Sequence, residues 1–299
     1  MNFFWAAVYS AYKVIGPALP TGGIVTLRFG LAALSLLVVW AWLPGKSPRG
    51  YDLLKTCVMG VVVYVLGQRL QVFGNQLGTA GNSSVLMAVE PLITSVAAAL
   101  FLREHIGPRR LAGFALGLVG VALLNRVWTP AFEWTGLEAS VLFICSFVCE
   151  ASFSVVGKPI VERAGVMKMV AISLVVGTAI NLLIDGADTF HAMVRLNATA
   201  WVLLLLMAIV CTAVGYSVWF VVIRECPVNV VALTLFSQAV FGVMIAALWV
   251  GEKLHGGQLL GSLVIVVGLV LGLSRQIVTT PHAPASAHPD VPTPDSPRP

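Results

Sequence analysis

Long stretches without charge are the feature that most constrains how this chain can fold. Segments 30–43, 203–211 and 259–273 contain no Asp, Glu, Lys or Arg. Hydrophobic residues make up 58% of the 299 and charged residues only 10%, whereas about a quarter of the residues of soluble domains are charged. Because a helix needs about 20 mostly apolar residues to cross the hydrocarbon core, the chain must cross a membrane several times. The lipid bilayer is therefore its solvent.

Glycine, proline and charged clusters divide the chain into ten apolar segments, which predict an all-α membrane protein. The first segment is short, since fifteen residues rise only about 22 Å against a core of about 30 Å. Either this helix is tilted, or the protein begins upstream of Met1. Residues 279–299 are rich in proline and lack an apolar period, so a disordered tail is expected. The predicted transmembrane helices are 1–15, 23–43, 53–75, 81–102, 107–125, 136–157, 167–185, 198–222, 227–249 and 256–274.

Basic residues predict the orientation of the chain. Most of the 18 Lys and Arg residues fall in alternate loops, and positive loops stay in the cytoplasm. Both termini are therefore predicted to be cytoplasmic, in a multi-pass protein of the inner (plasma) membrane. The formal charge is +5, but the basic residues are not gathered on one helix or arm, so no nucleic acid is expected as a partner.

The reactive residues do not favour an enzyme. The five cysteines form no CxxC motif, the five histidines lie in predicted loops or the tail, and neither GxSxG nor HExxH occurs. We therefore expect no catalytic residues, no metal and no cofactor. Nothing resembles a Walker sequence, so ATP is not expected as the energy source within this chain.

The two halves of the chain repeat each other. Because each half holds five predicted helices, an odd number, the second half must enter the membrane from the opposite side. Such inverted repeats place a substrate site near the midplane, between the halves. The predicted halves are residues 1–125 and 126–278. A shift of 148 residues takes Gly67 to Gly215, Gly113 to Gly261, Gly120 to Gly268, and Arg103-Glu104-His105-Ile106 to Gly251-Glu252-Lys253-Leu254, and a shift of 145 takes Lys13 to Lys158.

Several of these motifs together resemble the EamA-type transporters of the drug/metabolite transporter superfamily. The resemblance covers nearly everything from residue 5 to residue 274. It implies a ten-helix bundle in which helices 1, 3, 4, 6, 8 and 9 surround a cavity and helices 5 and 10 support it. It also implies export of amino acids, other metabolites or toxic compounds. The motifs are Trp5 to Lys13, Pro20 with Leu27-Arg28-Phe29, Thr79-Ala80 to Glu90-Pro91, Leu102-Arg103-Glu104 and Gly251-Glu252-Lys253-Leu254.

A polar stripe on helix 3 is the first candidate for the site. Tyr64, Gln68, Gln71 and Asn75 recur at helical spacing on one face. In lipid this face must look inward, where it either lines a cavity or joins helices by hydrogen bonds worth about 0.6 kcal/mol each. The repeat places Tyr216 and Trp219 of helix 8 on an equivalent face, which predicts a second, aromatic wall.

Two carboxylates inside predicted helices are the second candidate. Glu90 and Glu150 lie within apolar segments, where an ionised group costs about 3 kcal/mol on insertion scales. Each could bind a substrate ammonium or exchange a proton. Alternatively each has a structural partner, Arg69 for Glu90 and Lys158 for Glu150. The repeat counterpart of Glu90 is Gln238, so a symmetric carboxylate pair is absent.

Other charged residues are expected near helix ends. Arg28 and Lys13 match basic positions of the family and either meet a substrate carboxylate or extend to the interface. Glu104 and Glu252 are interpreted as loop anchors or gate pairs. The glycine pairs at GxxxG spacing on helices 5 and 10 are explained by close helix packing without a dimer.

Together these features predict a secondary transporter of a small amphipathic solute that works by alternating access, and the family resemblance implies that it is an exporter of a metabolite such as an amino acid. Protons are a candidate coupling ion, and no oligomer is required. The alternatives are a passive facilitator or channel and, less favoured, an intramembrane enzyme. The predicted substrate-binding residues are Trp5, Tyr12, Tyr64, Gln68, Gln71, Asn75, Glu90, Ser146, Glu150, Tyr216, Trp219 and Gln238.

Overall fold

A computed structural model describes residues 1–77, 86–130, 137–245, 248 and 256–274 of the chain. The predicted tail 279–299, Glu252, the stretch 79–85 and the side chains of Tyr9 and Lys13 lie outside this description. Within it, the regular secondary structure is entirely helical. The helices are α1 (Asn2–Ile15), α2 (Thr21–Val38), α3 (Tyr51–Leu77), α4 (Glu90–Phe101), α5 (Pro108–Asn125), α6 (Leu137–Val161), α7 (Val166–Met193), α8 (Ala198–Glu225), α9 (Val228–Ile245) and α10 (Gly256–Leu273).

Seven of these described helices are long and apolar enough to cross a bilayer: α2, α3, α6, α7, α8, α9 and α10. The chain is therefore an integral membrane protein with an all-α fold. Helix α4 is apolar but spans only 12 residues in its described part, and α1 has 14. Ten crossings in two inverted halves stay a prediction.

Prolines mark the beginnings of several helices. Pro20 and Pro227 immediately precede α2 and α9, and Pro108 is the first residue of α5. Proline suits these places because its fixed φ matches the first helical turn, whose N–H groups lack partners inside the helix. At the start of α8, the side chain of Asn197 instead accepts a hydrogen bond from the N–H of Ala200 at 2.9 Å.

Helices α3 and α8 each contain a π-helical segment. The segments are Val62–Gly67 in α3 and Met207–Val214 in α8. The first ends at Gly67 and the second immediately before Gly215, which are the glycines paired by the shift of 148 residues. A π segment inserts a residue into the helical turn and rotates the side chains beyond it, and such segments are frequent at functional sites.

A close helix crossing joins α5 and α10. A Cβ atom on Gly113 would lie 2.8 Å from the carbonyl oxygen of Gly268, and one on Gly120 would lie 2.8 Å from that of Gly261. The shift of 148 residues relates Gly113 to Gly261 and Gly120 to Gly268, so each glycine packs against the counterpart of the other. Small residues allow backbones to approach this closely in a membrane. The glycines of α5 thus pack within the chain.

The α5–α10 crossing provides a test of the fold. Gly120→Ala places a methyl group against backbone atoms of α10, and we expect overpacking to lower stability by about 1–3 kcal/mol. Gly242→Ala on α9 is the control, since no packing neighbour among the described residues lies within 4 Å of the added Cβ. The apparent melting temperature of detergent-solubilised protein measures both. Equal melting temperatures for the two variants would contradict the crossing.

Candidate functional site

A central cavity lies among seven helices, α1, α2, α3, α4, α6, α8 and α9. The cavity has a volume of about 60 Å³. On the same scale one water molecule needs roughly 10–15 Å³. This conformation therefore has room for a few waters. Its lining comprises Trp5, Val8, Arg28, Gln68, Gln71, Glu90, Thr94, Glu150, Phe153, Ser154, Tyr216, Trp219, Leu235 and Gln238.

Arg28 lies on the wall formed by α2 and is only 4% exposed. Its Nε donates to Thr212 Oγ1 at 2.9 Å, and its Nη1 donates to the Tyr12 hydroxyl and to Gln68 Oε1. The guanidinium also lies over the ring of Phe29, 4.9 Å from its centroid. The alternative of an arginine that extends to the membrane interface is wrong, because neutral acceptors on three helices hold Arg28 inside the bundle.

Gln68 links this cation to a carboxylate. Its Oε1 accepts from Arg28 at 3.4 Å, and its Nε2 donates to Glu150 Oε1. Glu150 also accepts from the Tyr216 hydroxyl, at 3.1 Å to Oε1. The amide dipole of Gln68 is therefore oriented with its negative end toward Arg28 and its positive end toward Glu150.

Glu90 and Gln238 contribute a second polar region to the cavity. Glu90 is the first residue of α4, and Gln238 lies two residues after the 3-10 turn Thr234–Phe236 that interrupts α9. No hydrogen bond joins the Glu90 carboxylate to any residue that the structure describes, and the lining also includes Thr94, one turn further along α4. This carboxylate thus faces the cavity without a hydrogen-bond donor from the described residues.

Aromatic rings form the remaining wall. The Trp5 ring lies 5.9 Å from the rings of both Tyr216 and Trp219, centroid to centroid. Both indole N–H groups are fixed by hydrogen bonds, Trp5 to the Cys211 carbonyl at 2.7 Å and Trp219 to Ser154 Oγ at 3.0 Å. The rings therefore present apolar faces in fixed orientations.

The structure brings eight of the twelve predicted site residues to this cavity and places four elsewhere. Tyr12 lies behind the wall, bonded to Arg28. Tyr64 belongs to the π segment and packs against Phe29, 4.8 Å between ring centroids, because this segment departs from the regular α-helical register that we assumed. The eight in the cavity are Trp5, Gln68, Gln71, Glu90, Glu150, Tyr216, Trp219 and Gln238.

Asn75 and Ser146 also lie outside the lining. Both are buried, and Ser146 Oγ donates to the Phe143 carbonyl of its own helix at 2.7 Å. Asn75 lies one residue after Gly74, where α3 packs closely against Phe143 of α6. The stripe on α3 therefore leaves the cavity toward its end and enters a helix contact.

Six lining residues were not among the twelve predicted substrate-binding residues, although Arg28 was named as one that could meet a substrate carboxylate. Helical spacing from Glu90 and from Glu150 could have found Thr94, Phe153 and Ser154, which lie three to four residues along the same helices. Arg28 gave a signal as a basic residue in an apolar segment. Val8 and Leu235 gave none, because apolar residues are unremarkable in a transmembrane helix.

The alternative that Arg69 and Lys158 are the structural ion partners of Glu90 and Glu150 is wrong. Arg69 pairs with Asp185 of α7 through Nη2 and Oδ2 at 2.6 Å and donates from Nε to Asn181 at 2.8 Å. Arg69 follows Gln68 and so projects about 100° away from the cavity face. Lys158 pairs instead with Glu104 at 3.1 Å, since it lies two turns beyond Glu150 at the end of α6.

Glu104 anchors the connection between α4 and α5. Besides Lys158, its carboxylate accepts hydrogen bonds from the backbone N–H groups of Val228 and Asn229, at 2.7 and 3.0 Å. It thereby satisfies two unpaired donors at the start of α9. This agrees with the interpretation of Glu104 as a loop anchor.

Within the described residues, no group of three or more His, Cys, Asp or Glu side chains is arranged to hold a metal ion. The lining side chains of the cavity offer hydrogen bonding, charge and aromatic contact. These properties suit reversible binding of a small solute.

An all-helical bundle with a polar, charged cavity within its membrane-embedded part is the architecture of a membrane transport protein. The chain belongs to the EamA-like transporter family, whose model matches residues 1–126 and 137–274. Among relatives, it is 26% identical to a Salmonella typhimurium protein named "Probable amino-acid metabolite efflux pump", over 65% of this chain and 67% of that protein. It is 23% identical to the "Probable terminal-alkyne amino-acid exporter" of Streptantibioticus cattleyicolor, over 89% of each chain.

A solved crystal structure shares the fold. It superposes with a TM-score of 0.71 at 14% sequence identity, covering 90% of this chain and 94% of the other. At this identity the likeness concerns the fold alone.

The Arg69–Asp185 pair predicts a specific loss of stability. Asp185→Asn leaves Arg69 without its anion, and we expect a loss of about 3 kcal/mol, the low end for a broken buried pair, because the two side chains are 24% and 15% exposed. Asp52→Asn is the control, since its partner Arg163 is 60% exposed and such pairs contribute little. Apparent melting temperatures in detergent measure both, and an unchanged value for Asp185→Asn would contradict the assignment.

Proposed function

We propose that the chain is a secondary transporter, not driven by ATP, that exports a small amphipathic metabolite such as an amino acid. The observation that carries this proposal is the cavity, in which Arg28, Glu90 and Glu150 face polar amides and indole rings within a membrane-embedded bundle. Ionisable groups at such depth are expensive and are usually functional. The names of two related proteins, an efflux pump and an exporter of amino-acid compounds, support the same substrate class.

The architecture that we propose is two inverted halves, residues 1–125 and 126–278, with ten crossings and a tail at 279–299. Three pairs of features support it. The π segments end at or immediately before glycines that the repeat relates. At the α5–α10 crossing, each glycine of one half packs against the repeat counterpart of the other. Gly67 packs on Cys149 of α6, and its counterpart Gly215 packs on Trp5 of α1. Inverted repeats allow a central site to open alternately to either side.

The eight predicted residues that line the cavity are assigned direct contact with solute. Gln68, Gln71 and Gln238 supply amide donors and acceptors, and the aromatic wall covers the apolar part. Tyr12, Tyr64, Asn75 and Ser146 are assigned a supporting role, because they lie behind the lining or in helix contacts. Small-molecule sites commonly combine an apolar lining with a few polar groups that fix orientation.

We further propose that the protein lies in the inner (plasma) membrane with both termini in the cytoplasm. The basic residues on the connections at one end of the bundle support this orientation, among them Lys46, Arg103 and Arg163. Protons are proposed as the coupling ion, exchanged at Glu90, which has no hydrogen-bond donor within the described part of the chain. No oligomer is required, since the cavity is built from one chain.

Substitution within the cavity tests the site. Glu90→Gln removes a charge and Gln68→Leu removes the bridge between Arg28 and Glu150, so we expect each to abolish solute transport in proteoliposomes while the protein still inserts and elutes as a monodisperse species. Glu138→Gln on exposed α6 surface is the matched control and should transport normally. Unchanged flux in both cavity variants would overturn the site assignment.

A second test concerns the mode of transport. Uptake into proteoliposomes is expected to saturate with solute and to show counterflow, because each cycle carries solute through one binding site. Net flux should also rise with an imposed proton gradient and fall when a protonophore collapses it. Unsaturable flux without counterflow would indicate a channel, and saturable flux indifferent to the gradient would exclude proton coupling.

A further inference from the structure

We propose that Arg28 selects solutes that carry a carboxylate, so that the cavity takes zwitterions in preference to amines of the same shape. This inference rests on the proposed transport function and deepens it. It assigns one end of the cavity to the solute carboxylate and the opposite end to the solute ammonium.

The first argument is that Arg28 forms no direct ion pair with any described carboxylate. The residue is 4% exposed within the apolar span α2, and no carboxylate of the described residues lies within 4.0 Å of its guanidinium. Arg69, the other arginine inside the bundle, has Asp185 at 2.6 Å. Charged groups inside a membrane almost always pair, so Arg28 stands ready for an anion from outside the protein.

The second argument is that part of the guanidinium has no acceptor. Arginine has five N–H donors. Nε and Nη1 donate three hydrogen bonds, to Thr212, Tyr12 and Gln68, whereas Nη2 has no acceptor in the part of the chain that the structure describes. Since Arg28 lines the cavity, a solute carboxylate could accept from Nη2 in the planar geometry that guanidinium and carboxylate share.

The third argument is the placement of the opposite charge. The oxygen of the Gln68 amide accepts from Arg28 and its nitrogen donates to Glu150. The charge of the polar wall therefore changes from positive at Arg28 to negative at Glu150. Glu150 already accepts from two donors, whereas Glu90 accepts none from the described residues and is free to receive an ammonium. The body of the solute would then lie against the Trp5 and Trp219 rings.

The experiment compares amino acids with their decarboxylated amines. Wild-type protein in detergent is titrated with L-phenylalanine against 2-phenylethylamine and with L-leucine against 3-methylbutylamine, and affinity is measured from thermal shift. Competition between the same compounds for flux is measured in proteoliposomes. We expect the amino acid to bind about 10- to 100-fold more tightly, the difference worth one charge-assisted hydrogen-bonded pair. Arg28→Gln should reduce this ratio to near one, mainly by weakening amino-acid binding.

Two controls separate the possible failures. Arg28→Lys keeps the charge but loses the planar fork, so it should fold and give an intermediate ratio. L-phenylalaninamide tests the wild type without any substitution and should bind as weakly as the amine. A wild type that binds amino acids and amines equally, or an Arg28→Gln variant that keeps the full ratio, overturns the role of Arg28. A wild type that neither binds nor moves any of these compounds overturns the proposed function as well.

Discussion

A charge inside a bilayer is stable only where other groups of the protein surround it, and the interior of this structure follows from that requirement. Arg69 connects α3 to Asn181 and Asp185 of α7, while Asp185 also accepts from Thr26 of α2 at 2.9 Å. Arg28 joins α2 to α1, α3 and α8, and Glu150 joins α6 to α3 and α8. The hydrophobic effect does little to drive helices together in lipid. These hydrogen bonds and ion pairs therefore determine which faces of the helices meet. The same groups then define the cavity, so stability and site are built from one network.

Close backbone approach complements this network at the other side of the bundle. Where α5 and α10 cross, glycine replaces charge as the means of association, and a smaller apolar cluster around Phe114, Phe236 and Ile265 packs beside the crossing. Three of the cavity helices are irregular, with π segments in α3 and α8 and a 3-10 turn in α9, whereas α5 and α10 are regular. The regular pair of helices α5 and α10 therefore supports a set of cavity helices in which the regular α-helical hydrogen bonding is already interrupted.

The sequence predicted the helical segments, the inward face of α3 and both cavity carboxylates. These predictions were possible because polar side chains of transmembrane helices face the interior of the protein and avoid lipid. It could not predict the rotation caused by a π segment, which removed Tyr64 from the lining. It also ended the seventh helix at residue 185, whereas α7 continues to Met193 and Asp185 lies at a kink with φ −142° and ψ 22°. A carboxylate at the predicted end of a helix is thus the partner of Arg69 within the bundle. The depth of Arg28 was missed for a similar reason, since a basic residue early in a span is usually interfacial.

The inequality of Glu90 and Gln238 has a consequence for the resting state of the protein. A carrier with two chemically identical halves would spend equal time facing each side of the membrane. Here, under the proposed alternating access, a titratable group occupies one half while its counterpart is a neutral amide, so the two facing states differ in free energy. A difference of about 1.4 kcal/mol already corresponds to a tenfold ratio of populations. The protein without solute would accordingly populate mainly one of the two facing states. The protonation of Glu90 would determine which of the two states this is.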